Sequence, residues 1–259
     1  MHFDQLPATL QRLLPRTDWH PASLGMSSAQ TIFINGREPF YLKVNPVDPW
    51  GGLRYEADAL VWLRTYLPAP EVMHYERADG VDYLLMRALP GLPASDERWQ
   101  TDPERLVRQL AASLRMLHDL NPVTCPFDQR NDVKISAVSA NVAHNLVDTD
   151  DFSEANQGRS PQDILAQLRV EQPAQHELVV THGDFCLPNL ILDNWSLSGF
   201  IDVGRLGVGD PYQDLALCTR SLIHNFGTDR FNALFLATYG LTAVDAARMR
   251  YFTLLDELN

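Results

Sequence analysis

The sequence predicts an α+β chain in two lobes, a small antiparallel sheet followed by a mainly helical region. Three observations point there. β-rich runs with turn signals fill residues 1–88, a helix-spaced leucine stripe begins after residue 103, and Leu89-Pro90-Gly91-Leu92-Pro93 breaks regular structure between them. A length of 259 residues suits one large domain or two lobes. In order, a small-residue turn at Gly25-Met26-Ser27-Ser28 follows a first strand. Thr31–Ile34 and Phe40–Val44 form a hairpin around Asn35-Gly36, residues 52–67 form a helix, and Val81–Met86 form a further strand. Beyond the break, Pro103 opens a helix to Leu120 with Leu106, Leu110, Leu114 and Leu117 on one stripe. More helix is expected over 129–147 and 161–168, strands at 178–181, 190–192 and 197–201, and three helices after Asp210. The lobes are expected to divide as 1–88 and 89–259.

Composition narrows the function classes. The formal charge is −12, with 45% apolar residues, an ordinary globular content. A net acid chain argues against a nucleic-acid partner and favours a cationic one. Residues 89–259 carry net −10 and residues 1–88 only −2, so the acidity lies in the helical lobe. No apolar run reaches the ~18 residues of a membrane span, and the first residues lack the basic head and apolar core of a signal peptide. The ending Asp-Glu-Leu-Asn is not an ER address. Cys125, Cys186 and Cys218 are widely spaced and form no metal or disulfide pattern, so buried thiols in a reducing cytoplasm are expected. Only Lys43 and Lys134 are lysines, against 19 arginines. Keeping a lysine in one strand of such a chain hints that an ammonium is needed there.

Chemistry concentrates in His182-Gly183-Asp184-Phe185-Cys186-Leu187-Pro188-Asn189. An Asp followed five residues later by an Asn, just after a strand, has the spacing of a kinase catalytic loop, with Gly183 where an Arg is usual. Thirteen residues on comes Asp202-Val203-Gly204, a D-x-G like the kinase metal-binding triplet. A hairpin turning near Asp193-Asn194-Trp195 would bring Asn189 and Asp202 together, and two oxygen ligands suit Mg²⁺. Asp184 would then face the attacking hydroxyl, with His182 orienting the loop. Each piece alone is weak, since a lone Asp-Gly is usually a turn. Order, spacing and strand context together favour phosphoryl transfer.

The N-terminal part supplies the other half. Tyr41 and Lys43 alternate with Phe40, Leu42 and Val44 and so share one face of a strand. An ammonium there can hold α- and β-phosphates, and an aromatic ring can cover a purine. Glu56, Leu60, Leu63 and Leu67 fall on one inward helix stripe. A buried carboxylate is costly unless paired, and Lys43 is the obvious partner. The backbone of Gly25–Ser28 is a candidate phosphate cap.

These residues resemble one family, the bacterial aminoglycoside 3′-phosphotransferases of the kanamycin kinase type. The likeness spans nearly the whole chain through VVTHGDFCLPNL, SGFIDVGRLGVGDPYQDLAL, LVDTDDFSEANQG, LRMLHDL, CPFD and the terminal YFTLLDELN. The resemblance implies a bilobal protein-kinase-like fold, ATP with Mg²⁺ as donor, and an aminoglycoside as acceptor. By position, Asp184 is the catalytic Asp, and Asn189 and Asp202 are the Mg²⁺ ligands. Lys43, with Glu56, holds phosphates. Tyr41 stacks on adenine, Ser27 lies in the phosphate cap, and Arg87 to Leu89 form the hinge that reads the base edge. Arg205 lies near the acceptor, whose amines meet Asp151, Glu154, Arg220, Asp256, Glu257 and the terminal carboxylate of Asn259. Ser153, Ser221 and His224 depart from the family pattern of acids. The reaction implied is γ-phosphoryl transfer to the 3′-hydroxyl, conferring resistance. Alternatives are a choline, homoserine or macrolide kinase on the same scaffold, or a nucleotide-binding regulatory module. The second expects a lost catalytic residue, yet Lys43, Glu56, Asp184, Asn189 and Asp202 are all present. A metal-dependent hydrolase would need denser His and Asp clustering than His182 and Asp184 provide.

Overall fold

A computed structural model of the chain describes residues 3–16, 18–22, 30–47, 52–153, 155–174 and 177–258, with the side chain of Asp151 outside that description. The expectations for Gly25–Ser28, Ser27, Glu154 and Asn259 lie outside the described residues. Elements run in the order α1 (Ala8–Leu13), β1 (Trp19–Pro21), β2 (Gln30–Ile34), β3 (Phe40–Pro46), α2 (Gly52–Leu63), β4 (Val72–Ala78), β5 (Val81–Arg87), β6 (Leu92–Pro93), α3 (Pro103–His118), α4 (Asn131–Ala143), α5 (Pro161–Glu171), β7 (Val179–Thr181), β8 (Leu190–Asp193), β9 (Ser196–Phe200), β10 (Gly207–Gly209), α6 (Tyr212–Phe226), α7 (Asn232–Tyr239) and α8 (Ala246–Asp256). They fall into two units. One holds the chain up to Pro93 together with Leu190–Gly204, and the other holds Ala94–Asn189 and Arg205 onward. The break expected near Leu89 thus lies inside the first unit, because β6 pairs with β8, Leu92 opposite Leu192.

In the first unit an antiparallel sheet has the order β1-β2-β3-β5-β4. Alternation sorts its residues. Ile32, Ile34, Leu42, Val44, Tyr83 and Leu85 join Leu6, Leu10 and Leu14 in one core, while α2 packs on β3, β4 and β5. Lys43, out of phase with Leu42 and Val44, therefore faces away from that core. The helix expected to reach residue 67 stops at Leu63. Thr65 and Tyr66 turn back onto Trp62 and Leu63, and Leu67 precedes a proline, which disfavours helical backbone there. Strand β4 was not legible, because its burial does not alternate cleanly and polar residues interrupt it. It is joined to β5 by Asp79-Gly80, both at positive φ, the chemistry of a tight hairpin turn. The hairpin of β8 and β9 turns at Asn194-Trp195, again both at positive φ, and Leu190 pairs with Phe200.

The second unit is helical around the two-stranded pair β7–β10. Leu106, Leu110, Leu114 and Leu117 are each fully buried, as the spacing predicts. Asp102, Ser160 and Asp245 cap α3, α5 and α8 through their side chains, satisfying first-turn amides that would otherwise be orphaned. Cys218 is buried, but Cys125 and Cys186 are only partly so, since both sit on loops rather than in an apolar stripe. Among the described residues no helix is long and apolar enough to cross a membrane.

Gly91 offers a direct test of how the first unit closes. Its φ is +105°, and an added Cβ would overlap the Leu192 carbonyl. Gly91→Ala is expected to lower stability by about 2–4 kcal/mol, read as a lower midpoint in urea unfolding. An unchanged midpoint would show that β8 need not approach this turn.

Candidate active site

In the first unit one ammonium organises the site. Lys43 Nζ donates to Glu56 Oε1 at 2.7 Å and to Asp202 Oδ1 at 3.0 Å. Glu56 is 3% exposed, the inward position its stripe predicts. Burial alone would push the Lys43 ammonium down, but Glu56 and Asp202 outweigh it and hold it above its ordinary value. Burial raises the Glu56 carboxyl above its ordinary range, and Lys43 pulls against that rise. Asp202 adopts a left-handed φ of +58°, uncommon for an Asp, and in that conformation it meets Lys43. Tyr41 shares the face of Lys43 and packs on Phe33, with ring centroids 5.2 Å apart.

The expected hinge is altered in one respect. Arg87 donates its amide to Glu71 O, and Ala88 donates its amide to Pro39 O. Those two amides are committed within the sheet and do not read a base edge. The Arg87 guanidinium pairs with Glu38 at 2.7 Å and Glu71 at 3.2 Å. Leu89 rests against Gly199, where any Cβ would stand 2.6 Å from Leu89 Cδ1.

In the second unit the catalytic-loop segment hangs from a carboxylate. Asp214, fully buried at the start of α6, accepts the His182 amide at 2.7 Å on Oδ2 and the Gly183 amide at 2.8 Å on Oδ1. His118 Nε2 donates to Asp214 Oδ2 at 2.9 Å, and its Nδ1 lies 2.8 Å from the Tyr239 hydroxyl. Burial works against the charge of Asp214, but the His118 and His182 bonds outweigh it and hold its carboxyl below the usual range. Gly183 sits at φ +85°, and a Cβ there would overlap the Arg205 carbonyl. This is why glycine stands where the kinase pattern has an arginine. His182 is buried, and its Nδ1 accepts the Asp184 amide at 3.3 Å, the orienting role expected of it. Asn189 Nδ2 donates to Asp184 Oδ2 and to Asp184 O, both at 2.9 Å. That commitment of the nitrogen turns the Asn189 amide oxygen away from Asp184. An amide oxygen here and a carboxylate at Asp202 are hard oxygen donors of the kind Mg²⁺ takes, so both residues fit the expected metal.

The acidic end of the chain divides in two. Asp256 accepts from Arg220 at 2.6 Å and faces Arg205 at 3.8 Å. Burial raises its carboxyl, against those two cations. Glu257 is 7% exposed, and among the described residues neither of its oxygens has a hydrogen-bond partner. It lines a cavity of about 410 Å³ with Ser153, Asn156, Arg159, Met249 and Thr253. Asp151 closes a short 3-10 turn. Ser221 does not face this cavity. Its Oγ accepts the Leu187 amide at 3.0 Å and so braces the turn that carries Asn189. His224 is exposed.

Asp214, His118 and Tyr239 were missed in the sequence. The stripe argument that found Glu56 applied equally to His118, which stands four residues after Leu114, and to Asp214, set among Tyr212, Leu215, Ala216 and Leu217. A polar residue on an inward stripe signals a buried partner.

A family model described as "Phosphotransferase enzyme family" matches residues 18–252. An aminoglycoside 3′-phosphotransferase of Niallia circulans is 39% identical over 97% of this chain and 96% of its own length. The crystal structure of an aminoglycoside-3′-phosphotransferase of type VIII superposes with a TM-score of 0.88 at 34% identity, over 100% of this chain and 99% of the other. The aminoglycoside phosphotransferase APH(3″)-Id of Streptomyces rimosus, in complex with ADP and streptomycin, gives 0.81 at 30% identity over 96% and 95%.

The Lys43–Glu56 pair can be weighed by a double-mutant cycle. Lys43→Met leaves Glu56 buried and unpaired and is expected to lower stability by about 3–5 kcal/mol. Adding Glu56→Gln should recover at least half of that loss in urea unfolding. Additive losses would show that the two side chains do not depend on one another.

Proposed function

This chain belongs to the phosphotransferase enzyme family, and on that premise we propose that it transfers the γ-phosphoryl group of ATP to the 3′-hydroxyl of aminoglycosides of the kanamycin and neomycin type, conferring resistance to them. The observation that carries this reading is Asp184, held beside Asn189 in a loop whose two preceding amides are clamped by Asp214. A carboxylate so positioned orients an acceptor hydroxyl and takes its proton as the phosphoryl group arrives.

In this reading Lys43, kept charged by Glu56, meets the α- and β-phosphates. Tyr41 covers the adenine, Ser27 caps phosphates, and the stretch from Arg87 to Leu89 borders the base. Asn189 and Asp202 hold Mg²⁺, which neutralises phosphate charge when bound. The transition state is loose, so positioning and electrostatics supply most of the acceleration. The acceptor's ammonium groups meet Asp256, Glu257, Asp151 and Glu154, with Arg205 and Arg220 in polar contacts. Glu257 supports this, since a buried carboxylate with no hydrogen bond among the described residues, in the wall of a cavity, is suited to a cationic ligand. A use of ATP and the free cysteines suit the cytoplasm.

A second reading places the phosphate on streptomycin, favoured by the relative seen with ADP and that drug. The acceptor hydroxyl separates the two. Kanamycin is expected to drive ATP consumption in a coupled assay, and tobramycin, which lacks the 3′-hydroxyl, to bind with little turnover. Efficient phosphorylation of tobramycin, or of streptomycin in preference to kanamycin, would contradict the 3′ assignment. Asp184→Asn is expected to lower kcat about 10²–10⁴-fold while leaving the Kd for ATP nearly unchanged in calorimetry. Retention of near-normal turnover would remove Asp184 from the catalytic role.

A further inference from the structure

Helix α6 holds the catalytic loop at both ends. Asp214, in its first turn, takes the His182 and Gly183 amides. Two turns further along, about 10 Å up the axis, Ser221 Oγ accepts the Leu187 amide at 3.0 Å. Leu187 opens the 3-10 turn Leu187–Asn189, whose own bond runs from the Asn189 amide to Cys186 O. The first amides of such a turn find no partner inside it. The residue ahead of a turn ordinarily supplies one from its side chain, but here that residue is Cys186, and a thiol is a weak acceptor. Ser221, 34 positions along the chain, provides the oxygen. Leu187 is 1% exposed, so water has little room to take its place.

The Ser221 side chain is set for this contact. A hydroxyl on a helix ordinarily turns back to a carbonyl of the preceding turn, as Thr219 does to Ala216 O at 2.9 Å. Among the described residues Ser221 makes no such bond. Asn225, one turn on, donates its Nδ2 to Ser221 O at 2.8 Å and lies 3.4 Å from Ser221 Oγ. The hydroxyl oxygen is therefore gripped from the helix as well as from the loop. Two residues after Leu187, Asn189 Nδ2 reaches Asp184 O and Oδ2, so whatever fixes this turn also fixes how both side chains are aimed.

We propose that Ser221, held by Asn225, is a positioning residue for Asn189, the metal ligand of the preceding reading. It sets where the Asn189 amide oxygen stands and so how tightly Mg²⁺ with its nucleotide is held. The inference rests on that reading and adds to it the residue that keeps the ligand in place. It gives Ser221 no contact with the acceptor. Partners that support a ligand in this way change metal affinity without touching the metal.

Mn²⁺ takes the same oxygen donors, and electron paramagnetic resonance counts its free ion, so Mn²⁺ with ADP reports the site without turnover. Ser221→Ala is expected to weaken Mn²⁺·ADP binding about 3–10-fold, the loss of one hydrogen bond. It should lower kcat with kanamycin by a similar factor and leave KM for kanamycin nearly unchanged. Ser221→Thr, which restores the hydroxyl, should recover most of both losses. In an Asn189→Ala background, adding Ser221→Ala should cost less than half the metal affinity that it costs the parent. Equal Mn²⁺·ADP affinity in the parent and Ser221→Ala, or an effect confined to KM for kanamycin, overturns the proposal. So does a full effect in the Asn189→Ala background, which would mark Ser221 as a general support of the loop. If Ser221→Ala does not fold, Asn225→Ala decides: a smaller loss of Mn²⁺·ADP affinity supports the proposal, and an unchanged affinity overturns it. A parent that shows the Ser221 effect on Mn²⁺·ADP but does not phosphorylate kanamycin would overturn the preceding reading and leave this positioning role standing. A parent that binds no Mn²⁺·ADP overturns both.

Discussion

A charge taken out of water is expensive unless a partner meets it, and each unit of this chain is organised around one buried carboxylate under that constraint. In the first unit the carboxylate is Glu56, and Lys43 satisfies it at 2.7 Å. The consequence is functional, because the same bond fixes an ammonium on the sheet face and keeps it charged. In the second unit the carboxylate is Asp214. Among the described residues it has no lysine or arginine partner; two backbone amides and His118 satisfy it instead. The consequence here is positional, because the two amides belong to the residues immediately before Asp184.

Rigid support of this kind is what phosphoryl transfer asks of a protein. Little covalent chemistry is required of the chain, so the placement of a few polar groups decides the rate. Asp184 is held by Asn189 on one side and by His182 on its own amide. Asn189 in turn rides on a 3-10 turn whose first amide is bound by Ser221. Gly183 completes the arrangement by allowing the backbone to pass close to Arg205 with a positive φ. Removing any of these supports would leave the Asp184 carboxylate present but less well aimed.

The same constraint picks out the groups it leaves open. Glu257 is buried and lacks a protein hydrogen bond among the described residues, and it lies in the wall of a cavity. It lies in the part of the chain that carries nearly all of the net negative charge. An acidic surface attracts a polyamine, and unpaired interior charges give it specific places to bind. Asp256, by contrast, is already engaged by Arg220 and Arg205.

Periodicity and local spacing were enough to determine much of this protein from its sequence. The leucine stripe of α3, the alternation of β3, the hairpin at Asn194-Trp195 and the inward position of Glu56 all follow from interactions within a few residues, which repeat at 2 or 3.6 residues. The Asp184–Asn189 spacing was legible for the same reason. Tertiary structure alone decided whatever depends on residues far apart in the chain. His118 meets Asp214 across 96 positions and Tyr239 across 121. The residues 190–204 join the first unit through β6, and Ser221 turns to the Leu187 amide. Such pairings leave no periodic trace, because each is a single contact selected by packing. A lone buried polar residue announces that it needs a partner, but the fold chooses which one.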